Sequence, residues 1–200
     1  MSNVGIMNTL SDPSISLSKF DVGERQLHQA VLLFFRGEDA VSVHTLSEAA
    51  FQVLYDIRGS FGASSILRDN ERIRPDKKSE WLSILSRSRN FFKHANRDKH
   101  DVHEFRDSFN HFSLLDCVNL HVSIKKRWTP ETFLYAVWFG LRYPDLLLED
   151  DAMSTTLQAL RSQGRAPDVN RLSSFYTGIT ELRSGTFVLG NVVTFAGLSE

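Results

Sequence analysis

The sequence predicts an all-α protein: an up-and-down bundle of four to five helices, with extra C-terminal helices and a short β-hairpin tail. Three observations predict it. Apolar residues recur at helical spacing over most of the chain. The segments so marked are bounded by capping residues, Gly and Pro. A β-branched, aromatic run is confined to residues 186–195.

Length and composition set the frame. Two hundred residues allow one domain, or one domain with a small appendage. The chain is 42% apolar and 24% charged, with a net charge of −1, which excludes a disordered, collagen-like or histone-like basic protein. A near-neutral balance gives no global pull toward nucleic acid, so any RNA contact must come from a local patch. Fifteen Phe, three Trp and four Tyr suffice for a sizeable core. The single cysteine, Cys117, excludes an intramolecular disulfide and a cysteine-based zinc site. The most apolar stretches, Ala30–Phe35 and Phe133–Leu141, fall short of the roughly 18–20 residues that span a bilayer. With no secretory signal at the N-terminus, the expectation is a cytoplasmic protein without membrane contact.

Residues 1–16 read as a flexible leader, 17–145 as the bundle and 146–200 as an appendage packed on it. Ser18-Lys-Phe-Asp21 is a helix-starting capping pattern, and the first helix runs to Arg36 before Gly37. A second starts near Ser42 and ends at Gly59. Residues 60–75 read as a loop, and Pro75-Asp76 opens a third helix that fails at 95–99. The fourth is expected from about Asp101 to Lys126. Thr129-Pro130-Glu131 starts the fifth: Thr caps, Pro fits the first turn and Glu meets the positive dipole end. Weaker helices are expected at about 151–163 and 168–183, and Gly190-Asn191 centres the hairpin.

Five of seven histidines fall between positions 94 and 121, amid Arg87, Arg89, Lys93, Arg97, Lys99 and Arg106. On a helical wheel of about 100° per residue, Trp81, Ile84, Leu85, Phe91 and Phe92 cluster on one face. Arg89, Asn90 and His94 lie off that face as a polar ridge. Arg89 and His94 stand about 140° apart, so convergence needs a bend after His94 or a second copy of the ridge.

Arg89-Asn90-x3-His94, at a helix end before a break, resembles the motif of the HEPN domains. The resemblance covers roughly residues 17–127, and only the six-residue motif is specific. It implies an all-α homodimer, many of whose kin are metal-independent endoribonucleases of toxin–antitoxin and phage-defence systems. It implies Arg89, Asn90 and His94 as catalytic residues, with RNA as substrate and an antitoxin or regulatory protein as a further partner. Such chemistry needs no cofactor, because RNA supplies its 2′-hydroxyl as nucleophile. His94 would move the proton and Arg89 would hold the transition-state charge. Arg87, Lys93 and Arg97 would add phosphate affinity. The alternative reading is a non-catalytic interaction or nucleotide-binding module.

The pattern is cheap in so basic a stretch. Arg106 with His111 matches it equally, and Arg97 with His103 nearly does. His100-Asp101-Val-His103-Glu104 offers ligand types at close spacing, with His44 and Asp116 as the other members a metal-dependent HD phosphohydrolase would need. A solvated helix N-terminus explains the acids better, and no metal is expected. Cys117 and His28 read as core and structural residues, Trp128 and Trp138 as core or interface, and Lys125-Lys126-Arg127 as a basic helix end.

Overall fold

In a computed structural model of the chain, which describes residues 14–96, 99–147 and 152–185, every regular element is helical. The helices are α1 (Lys19–Arg36), α2 (Ala40–Ile57), α3 (Lys78–Lys93), α4 (Phe109–Lys125), α5 (Pro130–Arg142), α6 (Ala152–Ser162) and α7 (Leu172–Arg183). Single 3-10 turns lie at Arg58–Phe61, Pro75–Lys77 and Pro144–Leu146. The hairpin expected at 186–195 and most of the leader lie outside the described residues. Among the described residues, no helix is long and apolar enough to cross a membrane.

Local chemistry sets most ends. Ser18 and Asp21 cap α1 reciprocally: each side chain takes the other's backbone N–H, at 3.1 and 2.8 Å. Gly37 closes that helix at φ +69°, a conformation costly for residues with a Cβ. Asp39 accepts from the Ser42 amide at 2.8 Å and starts α2 two residues before the expected position. Thr129 and Thr132 form the second reciprocal cap, with Pro130 in the first turn of α5.

The chain doubles back after Gly37, so α1 and α2 pack antiparallel. Gly23, early in α1, lies against Leu54 and Ala50, late in α2. A Cβ on Gly23 would stand 2.9 Å from Leu54 Cγ. The core then gathers Leu27, Val31 and Phe35 of α1, Phe51 of α2, Leu114 and Leu120 of α4, and Tyr135 and Trp138 of α5. The Phe35 and Phe175 rings stack at 5.4 Å and seat α7 on α1. Cys117 is wholly buried, and burial pushes its thiol well above the usual range, so it is a small apolar residue.

Two expected boundaries fail for tertiary reasons. The fourth helix begins at Phe109 rather than near Asp101. His103 contacts Ser88 at 2.9 Å, and the Phe105 ring packs on His44 and Phe92 at 4.9 and 5.3 Å. These anchors hold residues 101–106 as an irregular strap across α3 and α2. The last helix begins at Leu172, because the Asp168 carboxylate accepts from the Asn170 amide at 2.9 Å and makes a turn there.

The close helix crossing at Gly23 yields a test. Gly23→Val should destabilise the protein by about 1–3 kcal/mol through overpacking against Leu54. A lowered urea midpoint with unchanged slope is the expected reading.

Candidate functional site

Helix α3 is a lightly seated element. Of its residues only Ser88 is fully buried, while Ile84 is 48% exposed. Trp81 ties its first turn down by donating to the Leu67 carbonyl at 2.8 Å. The helix ends at Lys93, just before the expected break at 95–99: His94 leaves helical geometry at φ −125°, ψ 58°, its amide bonded to the Asn90 carbonyl at 3.1 Å.

The Arg89 side chain does not stand free on the ridge. It is only 20% exposed, because the side chain flanks the buried stripe and turns toward α2 rather than to solvent. Its Nη1 donates to Gln52 Oε1 at 2.8 Å and stands 4.0 Å from Glu48 Oε2. Asn90, Arg87 and Lys93 are exposed and His94 is half-buried. No hydrogen bond joins the side chains of Arg89, Asn90 and His94 to one another among the described residues. Arg97 lies outside those residues.

Beneath Arg89 is a buried ionic cluster. Arg68 donates to Glu48 at 2.8 Å and to Asp116 at 3.4 Å, and its guanidinium lies 3.7 Å from the centre of the Phe51 ring. Asp116 also accepts from Ser65 Oγ at 2.6 Å and the Ile66 amide at 2.9 Å. Burial raises the Asp116 carboxyl above its ordinary range, against the lowering pull of Ser65 and Arg68. Two acids face one fully enclosed guanidinium, and Arg89 brings the second positive charge. This cluster escaped the sequence reading, since its members lie 20–68 positions apart along the chain.

The rival pairs resolve differently. Arg106 is exposed in the turn before α4 rather than mid-helix. His111 Nδ1 meets the Tyr143 hydroxyl at 2.6 Å, and its ring packs edgewise on Trp138 at 4.9 Å. It lines a cavity of about 350 Å³ with Phe34, Asn110, Trp138 and Arg142. The proposed HD set does not assemble: His100 is exposed, His44 meets Asn110 at 3.1 Å and Asp116 serves Arg68. Trp138 is core and donates to the Val169 carbonyl at 3.0 Å; Trp128 is 36% exposed beside Phe133.

A second polar cluster joins α1, α4 and α5. Glu24 Oε1 meets His121 Nε2 at 2.8 Å and also contacts Lys125. His28 Nε2 lies 3.0 Å from Thr129 Oγ1 and 3.7 Å from Glu131, which also pairs with Arg183. One donor atom each from Glu24, His28 and His121 lie within 4.8 Å of one another. The Glu-x3-His spacing on the first helix was the available sequence signal, but nothing local pointed to His121.

Burial lowers the proton affinity of both His44 and His111, and Arg142 lowers that of His111 further. Their unfolded counterparts take up a proton below about pH 6.5, which the folded rings resist. This stability is therefore full above that pH and lost as pH falls below it. Each ring adds a slope of at most about 1.4 kcal/mol per pH unit. Urea midpoints should fall from about pH 7.5 to about pH 5, and His44→Gln should flatten the decline. No family model, curated protein or solved structure matches the chain, so the reading of the α3 ridge rests on its own geometry.

Proposed function

We propose that the chain is a HEPN-type, metal-independent endoribonuclease acting as a homodimer, in the role of a toxin or phage-defence effector of the cytoplasm. The observation that carries this reading is the pairing of a fixed arginine with a helix break. Gln52 and Glu48 hold Arg89 in one orientation, and α3 stops at His94, five residues on. Gln52 takes one of the five guanidinium N–H donors, and the reading assigns others to a phosphate.

The 2′-hydroxyl of RNA attacks the adjacent phosphorus, and the bond to the 5′-oxygen breaks. The products are a 2′,3′-cyclic phosphate and a 5′-hydroxyl. His94 moves the proton, Arg89 stabilises the charge on the phosphoryl oxygens and Asn90 orients the phosphate. Arg87, Lys93 and Arg97 hold flanking phosphates. The HEPN resemblance supplies the two-fold pairing, in which two copies of the Arg89–His94 ridge face one another. Exposed Ile84 on α3, with Phe109 beside it at 40% exposure, supplies an apolar seam for that pairing in an up-and-down bundle.

Arg89 beside buried Glu48 also favours a second reading, an interaction module regulated by a protein partner, in which Arg89 only balances charge. Arg89→Lys separates the two. It keeps the charge near Glu48 but loses the planar donor fork. The ribonuclease reading expects cleavage of a mixed-sequence RNA in EDTA to fall about 10²–10³-fold in Arg89→Lys, and about 10²–10⁴-fold in His94→Ala, with melting temperatures retained. Ile84→Glu should turn the dimer into an inactive monomer. A wild-type protein that leaves RNA intact across the range from about pH 5 to about pH 8 overturns the reading.

A further inference from the structure

The structure assigns Glu24, His28 and His121 as a binding site for one divalent first-row transition metal ion, set between α1, α4 and the start of α5. Three features point to it. Glu24 and His28 are one helical turn apart on one face of α1, and His121 reaches them from α4, so the donors come from two packed, rigid helices. Their donor atoms already lie within 4.8 Å of one another. Around an ion with bonds of about 2.0–2.1 Å, neighbouring donors stand roughly 3.3 Å apart, so side-chain rotations of modest size complete the geometry. A fourth donor is at hand: Glu131, almost fully buried, has Oε2 3.7 Å from His28 Nε2.

The donor chemistry selects the ion. Two imidazoles with one or two carboxylates suit zinc, iron(II), cobalt(II) or nickel(II), and disfavour calcium and magnesium, which take all-oxygen shells. His121 is enclosed, with Nε2 toward Glu24 and Nδ1 without a hydrogen-bond partner among the described residues. The competitors are Lys125, whose ammonium contacts Glu24, the Thr129 hydroxyl, 3.0 Å from His28 Nε2, and Arg183, which pairs with Glu131. Lys125 rides on a flexible four-carbon stem at the last turn of α4 and must swing aside when the ion enters. The ion would clamp α1 to α4 and to the cap of α5. It stands apart from the α3 ridge in role as well as in elements, so cleavage in EDTA and metal binding are separable.

Cobalt(II) titration of the full chain, freed of metal by chelation, tests this through ligand-field absorption, which inner-sphere imidazole and carboxylate ligands produce. We expect one cobalt(II) per chain, displaced by zinc(II), and a melting temperature raised by zinc(II). Glu24→Gln and His28→Gln, both at partly exposed positions and checked for native circular dichroism, should each weaken uptake at least tenfold. Lys125→Met should strengthen it. Absent bands in the wild type, or uptake unchanged in either Gln variant, overturns the site. Uptake confined to Lys125→Met also overturns it as a property of the native chain.

Discussion

The Arg68 guanidinium is held between the carboxylates of Glu48 and Asp116, over the face of Phe51, with almost no access to water. Removing two carboxylates and a guanidinium from water is costly, and only near-complete pairing repays it. That requirement organises the middle of the chain. Arg68 belongs to the irregular segment between α2 and α3, Glu48 to α2 and Asp116 to α4. Ser65 and the Ile66 amide complete the shell of Asp116, so the segment is fastened to α4 as firmly as a helix would be. The Leu67 carbonyl then receives Trp81, which sets where α3 begins.

The same cluster leaves one negative charge over, and Arg89 lies toward it. Charge balance and the proposed chemistry thus share a residue. A side chain fixed by a buried acid loses little freedom when a phosphate arrives, which is the condition under which an arginine contributes most to a transition state. Little more than a turn further along α4, the Glu24–His28–His121 cluster has a different character. Its carboxylate, Glu24, is shared between the enclosed His121 imidazole and the Lys125 ammonium, with no arginine in the cluster's centre.

What the sequence revealed divides by range. The caps at Ser18 and Thr129, the stop at Gly37 and the break at His94 are local events, written within four residues, and they were legible. The strap at 101–106 was not, because its polar and apolar residues match a helix, and what holds it are contacts to Ser88, His44 and Phe92 in other elements. Arg89 was assigned to the correct helix and turn, but its direction was misread. A helical wheel gives the angle of a Cβ, whereas a long side chain follows the nearest charge, and Glu48 could not be placed beside it from spacing alone. The Glu24–His28 pair was visible as an i, i+4 spacing, but its third member lies nearly a hundred residues on and enters only through the fold.

The sparse seating of α3 has a further meaning. A helix with one deeply buried residue, tied at its start by Trp81 and Lys78 to the Leu67 and Asn70 carbonyls and along its length by Ser88, Arg89 and the Phe92 ring on His44, adds less to the cooperative unit than helices with several buried residues. Its amides belong to the class that exchanges through partial opening, at a free energy well below that of global unfolding. Helix α3 thus rests on half-buried side chains, Trp81, Leu85, Phe91 and Phe92 among them, rather than on deeply buried ones.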